Sequence, residues 1–298
     1  MTATVHVAAH AKINLFLRIL ARETSGFHQI ETAFALLELA DQLEVRRTDG
    51  GGGGVHLDVD GPDLGPSDKN LAVRAAGAVL EATGNRFGVS IKLTKQIPVR
   101  AGLGGGSSDA AAALHAVNAL AGNAMPRHEL LHFATKLGAD VAFFASGAPL
   151  AVAWGRGERL LRLPAPPVMP VLLAVPPIPV ATPDAYKWWD EQNPSPTARG
   201  PVALDSDAFA TWGSIGRLGG NDFEQPVFGH HPELRGLYER VAATGPVWVR
   251  MSGSGSAVAA VYKKKEERDD AIERLGSRQQ QLIATATRAT PGPATQPL

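Results

Sequence analysis

Residues Ile97 to Asp109 read IPVRAGLGGGSSD. Four glycines, Gly102, Gly104, Gly105 and Gly106, stand between a strand-like run and the alanine-rich segment SSDAAAALHAVNAL, Ser107 to Leu120. The Ser/Asp start and the alanine content predict a helix over 107–120. The first turn of a helix leaves backbone N–H groups unpaired, and its dipole adds positive character there. Glycines let those amides approach an anion with no Cβ in the way, and Ser107 and Ser108 add hydroxyl donors. The ligand chemistry is that of a phosphate chain. No Lys-Ser/Thr follows the glycines, so this is not a Walker A loop, and the helix begins too soon for a Rossmann fingerprint. The plainer alternative is a capped glycine loop with no ligand. Asp109 falls in the first helical turn. A phosphate site repels a bare carboxylate, so Asp109 is expected to face away or to meet phosphate through a magnesium ion.

Chemistry also needs a group that handles a proton. Lys12 interrupts the apolar run HAKINLFL, and Asp140 interrupts KLGADVAFF. Taken singly, Lys12 reads as a snorkelling edge residue and Asp140 as a cap. Brought together beside the glycine turn, they form an ion pair suited to phosphoryl transfer to a hydroxyl.

The elements that would position these groups follow from periodicity. Strands are expected over 5–19, 30–39, 42–47 and 55–60, the last closing a hairpin, and over 89–93. Helices are expected over 70–82, 107–120 and 127–137, then short strands over 150–154 and 159–163. LPAPPVMP, Leu163 to Pro170, is rigid and extended, and marks a domain boundary. Beyond it come a strand over 171–175, a short helix over 185–191, a helix over 232–243 and strands over 247–251 and 257–262. KKKEERDD, Lys263 to Asp270, reads as the solvated start of a helix. Gly50 to Gly54 and NPSPTARG, Asn193 to Gly200, read as exposed loops. Strands and helices without a regular βαβ rhythm favour an α+β fold. The expected division is 1–163, 164–289 and a flexible tail over 290–298.

Composition sets the outer limits. The chain has 298 residues, 44% of them apolar, with 29 basic and 29 acidic side chains. A net charge of zero gives no overall attraction to nucleic acid or anionic lipid. There is no cysteine, which excludes disulfide scaffolds, thiolate metal sites and cysteine nucleophiles. The first 20 residues lack the pattern of a signal peptide, and no apolar stretch approaches membrane-spanning length. The expectation is a cytoplasmic protein with neither a nucleic-acid nor a membrane partner, either a monomer or a weak homodimer.

Several further motifs accompany the glycine turn in a fixed order. They are AKINLFL (11–17), GFH (26–28), DKNLAVRAA (68–76), PVRAGLGGGSSDAAA (98–112), LGADVAFF (137–144), ATPDAY (181–186), NDFE (221–224) and MSGSGSAV (251–258). Together they resemble the GHMP kinase superfamily and, within it, the 4-diphosphocytidyl-2-C-methyl-D-erythritol kinases of the non-mevalonate isoprenoid pathway. The glycine turn alone points to the superfamily. AKINL, GFH and GADV narrow the resemblance.

The resemblance implies a two-domain α+β fold, with an N-terminal domain like domain 2 of ribosomal protein S5 and a ferredoxin-like C-terminal domain. It implies ATP and Mg2+ as cofactors, and transfer of phosphate to the 2-hydroxyl of 4-CDP-2-C-methyl-D-erythritol. Asp140 then matches the general base, and Lys12 the catalytic lysine beside it. Asn14, Phe27, His28, Tyr186, Gly253, Ser254 and Gly255 match substrate-binding positions, with Phe27 and Tyr186 stacking on cytosine and His28 reading its edge. Phe27 stands where the family usually has tyrosine, which keeps the ring face and removes a hydroxyl. Pro98, Val99, Arg100, Ala101, Gly102, Leu103, Gly104, Gly105, Gly106, Ser107 and Ser108 match the ATP phosphate loop, and Asn70 and Lys95 match positions near the adenosine. No protein ligand for the magnesium ion is identified. Two alternatives remain. One is another GHMP enzyme of the mevalonate or sugar kinase type, against which GFH and ATPDAY argue. The other is a non-enzymatic nucleotide or RNA binder, against which the balanced charge and the Lys12 and Asp140 pattern argue.

Overall fold

The computed structural model describes residues 3–49, 54–194, 205–276, 279–292 and 296–297. Two long strands open the chain. β1 (Thr4–Arg22) and β2 (His28–Thr48) pair antiparallel, with register shifts between His10 and Lys12, Asn14 and Phe16, and Ile19 and Ala21. Such irregularities bend a strand and re-aim its side chains, and here they bracket Lys12 and Asn14. The strands expected over 30–39 and 42–47 are one. The carboxylate of Asp41 looks like a break, yet it is fully buried and accepts backbone hydrogen bonds.

β3 (Val55–Asp60), α1 (Leu71–Ala82) and β4 (Gly88–Thr94) follow. β3 runs parallel to β4, Val55 opposite Val89, and so does not close the expected hairpin. A parallel pair needs a crossover connection, and α1 supplies it. Next come α2 (Gly105–Leu120), α3 (Arg127–Leu137), α4 (Ala139–Ser146), β5 (Leu150–Gly155) and β6 (Arg159–Leu163). β5 pairs with β2 and β6 with β5. The sequence reading had no helix at 139–146, because the short apolar run carries no clear period. The alanines of α1 and α2 pack with Leu43, Val45, Ile91, Leu93 and Phe143 into one core between helices and sheet. Small side chains there let helix backbones approach the sheet closely.

After β6 the chain leaves this sheet. The second half contains β7 (Pro170–Val175), α5 (Thr182–Gln192), α6 (Trp212–Ile215), α7 (Glu224–His230), α8 (Pro232–Ala242), β8 (Trp248–Met251), β9 (Val258–Val261), α9 (Lys265–Leu275) and β10 (Gln281–Ala286). Its sheet is antiparallel in the order β10-β7-β9-β8. That spatial order, fourth-first-third-second along the chain, is the ferredoxin-like arrangement. Trp189 and Trp212 are buried in its cores, and Trp188 stacks on His230 at 4.3 Å.

The end of the chain returns to the first sheet. Arg288 N donates to Leu36 O at 2.9 Å, and β11 (Gln296–Pro297) pairs with β1 at His6 and Val5. The expected flexible tail over 290–298 is therefore held at Gln296 and Pro297. Edge-strand hydrogen bonding offsets its lack of apolar bulk. The glycine run at 50–53, residues 195–200 of the expected second loop, and residues 293–295 and 298 lie outside the described residues. Among the described residues, no helix is long and apolar enough to cross a membrane.

β1 joins the two halves. Leu17 N donates to Gly220 O, Asp222 N donates to Leu17 O, and Ile19 N donates to the Asp222 carboxylate at 2.7 Å. The Trp248 indole N–H reaches Leu15 O. Residues of β1 are thereby fixed against the second domain as well as the first.

Candidate active site

The glycine turn lies where the two halves meet. α2 begins at Gly105, two residues earlier than expected, and Gly104 caps it with φ 73° and no side-chain hydrogen bond. Ser107, Ser108 and Asp109 are inside the helix and do not cap it. A left-handed cap suits glycine, and it leaves the first-turn amides with no side-chain acceptor. Gly102 also has positive φ, and a Cβ there would lie 2.0 Å from Ser252 O. Ser252 Oγ donates to Gly102 O at 2.9 Å, and Ala257 N donates to Ala101 O. The turn after β8 and the glycine turn thus sit backbone against backbone. The cavity here is about 340 Å³, and residues 97–107 line it with Asn70, Lys95 and Asp109.

Asn70 and Lys95 both reach this cavity wall, but their polar groups are engaged. Asn70 caps α1, its side chain accepting from Ala72 N at 2.9 Å. The Lys95 ammonium donates to the Asp41 carboxylate and, at 2.8 Å, to Asp109 Oδ2. Asp109 is buried, and its carboxylate turns into the protein toward Lys95.

Lys12 and Asp140, far apart in sequence, lie together beside the glycine turn. Lys12 Nζ lies 3.6 Å from Asp140 Oδ2, with the lysine side chain buried and the carboxylate partly open. The ammonium donates to Asn14 Oδ1 at 2.6 Å, and Asn14 Nδ2 donates to Thr32 Oγ1. Residues two apart on a strand share a face, which sets Lys12 beside Asn14. A Cβ on Gly104 would lie 3.1 Å from Lys12 Cγ, and one on Gly253 would lie 3.4 Å from Lys12 Nζ. The ammonium is thus held between the two glycine turns. Asp140 occupies the first turn of α4, directly after Gly138 and Ala139.

Gly253, Ser254 and Gly255 are braced from behind. Asn221 Nδ2 donates to Gly253 O and Met251 O, and Glu224 accepts from Met251 N. Ser254 Oγ is 2.9 Å from Thr182 Oγ1 at the start of α5. The NDFE segment therefore acts as a support for this turn.

A larger cavity of about 1300 Å³ adjoins Ala139, Thr182 and Tyr186 and extends to Phe27, His28 and Asp190. The structure brings Phe27, His28 and Tyr186 to its walls, but not as two bare rings facing a gap. Tyr186 already stacks on His28, centroids 4.4 Å apart at 16°, and meets Phe223 edge-on. Phe27 carries the Arg156 guanidinium 4.0 Å from its ring centre, and Arg156 is paired with Glu23 at 2.5 Å. Burial pushes the Tyr186 hydroxyl up to about 12, with the Asp140 charge adding to it, so the phenol keeps its proton. His28 Nε2 is 2.8 Å from Asp190 Oδ1. Sequence reasoning missed Asp190, although its place four residues after Tyr186 on α5 puts both on one helix face. It also missed Arg156 and Asp41, for which no local pattern offered a signal.

Among the described residues no group of three or more His, Asp or Glu side chains could hold a metal. Asp109, which lines the cavity at the glycine turn, gives one carboxylate oxygen to Lys95.

Comparison with known proteins shows the family to which the chain belongs. The family descriptions for the GHMP kinases N terminal domain and the GHMP kinases C terminal domain match residues 70–148 and 205–280. The chain is similar to 4-diphosphocytidyl-2-C-methyl-D-erythritol kinase of Chlorobaculum tepidum, 39% identical across 91% of this chain and 94% of the relative. A crystal structure of 4-(cytidine 5'-diphospho)-2C-methyl-D-erythritol kinase superposes with TM-score 0.78 at 36% identity, covering 95% of this chain and 98% of that one. Homoserine kinase from Cytophaga hutchinsonii shares the fold, with TM-score 0.72, 20% identity, and 99% and 97% coverage. The chain belongs to the GHMP kinase superfamily of ATP-dependent small-molecule kinases and is closely related to the 4-diphosphocytidyl-2-C-methyl-D-erythritol kinases.

Proposed function

We propose that this kinase transfers the γ-phosphoryl group of ATP to the 2-hydroxyl of 4-CDP-2-C-methyl-D-erythritol, giving the 2-phosphate and ADP for isoprenoid precursor synthesis. The observation that carries the reading is the Lys12–Asp140 pair at 3.6 Å, set between the cavity at the glycine turn and a larger cavity ending in His28 and Tyr186. In this reading the domains run over 1–163 and 164–289, and one chain supplies the whole site in the cytoplasm.

Phosphoryl transfer depends mostly on placement and charge stabilisation. The first-turn amides of α2 hold the phosphates with dipoles already aligned, so little reorganisation is needed as charge shifts. Asp140 orients the acceptor hydroxyl and takes its proton as the oxygen bonds to phosphorus and the bond to ADP breaks. Lys12, anchored by Asn14, stabilises the oxygen that gains negative charge. Magnesium, carried in by ATP, would neutralise phosphate charge. At the far end Phe27, Tyr186 and His28 bind the cytosine ring. His28 Nε2 faces the Asp190 carboxylate at 2.8 Å, which holds the imidazole in place to read the edge of the base.

ADP release measured with the purified protein against a panel of alcohols tests the reading. The cytidine substrate should be turned over, with phosphorus NMR placing the new phosphate on the 2-oxygen. Turnover of mevalonate, homoserine or a sugar in its place would overturn it.

A further inference from the structure

Beneath the glycine turn lies a buried charge cluster that the transfer chemistry does not use. Asp41 comes from β2, Lys95 from the segment after β4, and Asp109 from the first turns of α2. Their side chains are 0%, 4% and 3% exposed. Lys95 Nζ donates to both carboxylates, and it would stand 3.2 Å from a Cβ on Gly105, against the turn itself. The two acids are not equivalent. Asp41 has three donors, since its second oxygen accepts from Gln96 N at 2.6 Å and Ile97 N at 2.8 Å. Asp109 has one donor, and its Oδ1 is buried with no partner.

With all three groups charged, the cluster carries one net negative charge directly under a helix N-terminus built to receive a polyphosphate. Like charges in a desolvated setting repel strongly. A proton on the bare oxygen of Asp109 removes that repulsion and the cost of burying an unpaired charge. We propose that Asp41, Lys95 and Asp109 form a positioning device for the phosphate turn, in which nucleotide binding is accompanied by proton uptake at the Asp109 carboxyl. Asp41 is its fixed part, tying the Lys95–Ile97 corner to β2, and Asp109 is the part that changes charge.

Burial pushes the Asp109 carboxyl up to about 7 against the pull of Lys95, with the Asp41 charge adding to the rise. Burial lowers the Lys95 ammonium, but the two carboxylates outweigh it and hold the group above its ordinary value. Lys95 and Asp41 are the charged groups acting on Asp109. α1, α3 and α4 present apolar side chains to α2, including Ala75, Ala76, Leu130, Phe143 and Phe144. β1 places Lys12 on the far side of Gly104.

The inference rests on reading the glycine turn as the ATP phosphate site. Its test is calorimetry of ADP binding to the full chain and to Asp109→Asn, in buffers of different ionisation enthalpy from pH 6 to 8.5. Protonation of the nucleotide itself is common to both proteins and cancels. Wild type should take up a large fraction of one proton more than Asp109→Asn above pH 7. Its affinity should fall about 10-fold more than the variant's as pH rises from 6 to 8. Asp41→Asn should raise the KM for ATP while leaving the KM of the acceptor alcohol unchanged, and should move the pH dependence downward by removing repulsion from Asp109. Equal proton counts and parallel pH profiles in wild type and Asp109→Asn would overturn the proposal while leaving the phosphate site intact. Failure of the wild type to bind ADP would overturn both.

Discussion

Asp190 Oδ1 lies 2.8 Å from His28 Nε2, joining the last turn of α5 to the first residue of β2. His28 is buried, with Tyr186 stacked on its face and the edge of Trp189 against it. The ring is thus fixed in position. Asp190→Asn keeps the shape but replaces an obligate acceptor with a group that can also donate. Preference for the cytidine over the uridine form of the substrate should fall about 10-fold, the scale of one buried hydrogen bond to a charged group. The KM for ATP should not move. Steady-state kinetics with both nucleotide forms checks this, and unchanged discrimination would sink the assigned role.

Asp140→Asn should lower turnover about 10²-fold or more while nucleotide binding persists. The amide cannot accept the hydroxyl proton, but the cradle formed by the α2 amides is untouched. Lys12→Met should lose comparable activity and also destabilise the fold by about 1–3 kcal/mol, since buried Asn14 Oδ1 loses its donor. Kinetics paired with thermal melts separates the two variants. An Asp140→Asn enzyme with near wild-type turnover removes the carboxylate from the chemistry.

The candidate site groups are legible because their chemistry is written in neighbouring residues. Lys12 and Asn14 sit two apart on a strand, and Gly102 to Gly106 run directly into alanines. Pairing Lys12 with Asp140 needed the family pattern, since nothing local links strand β1 to helix α4. Asp41 shows what stays hidden. Its partner Lys95 is 54 residues away in sequence, and a lone carboxylate in a strand reads as a break. β3 was misjudged for a similar reason. Alternation marks a strand, but nothing in six residues tells whether its neighbour is the preceding strand or the one beyond a helix.

Two glycines of the same turn should respond in opposite ways. At Gly102 a Cβ would meet Ser252 O at 2.0 Å on a backbone with positive φ. Gly102→Ala should therefore cost several kcal/mol or push the two turns apart. Gly106 has open space around its Cβ position and lies in the first turn of α2. Gly106→Ala should raise the melting temperature slightly, because alanine in a helix is about 1 kcal/mol better than glycine. The same methyl group would stand in the approach to the first-turn amides, so the KM for ATP should rise several-fold. Melts and kinetics on both variants check the pair. A Gly106→Ala protein with unaltered ATP kinetics would show that the phosphates lie elsewhere.

The raised carboxyl of Asp109 also fixes the sign of a stability effect. In the unfolded chain it titrates near the ordinary aspartate value of about 4, and in the folded protein at about 7. Between those values the unfolded state has released a proton that the folded state retains. Stability from this residue is thus complete below about pH 4, falls as pH rises toward 7, and stays lost above it. Asp109→Asn carries no titrating group there and lacks this decline. Its melting temperature relative to wild type should climb steadily from pH 4 to pH 7 and then level off, whatever the constant offset from losing the bond to Lys95. Thermal unfolding of both proteins across that range measures the difference directly. A difference that does not change with pH would mean that Asp109 is already ionised in the folded protein at low pH, with Lys95 outweighing its burial.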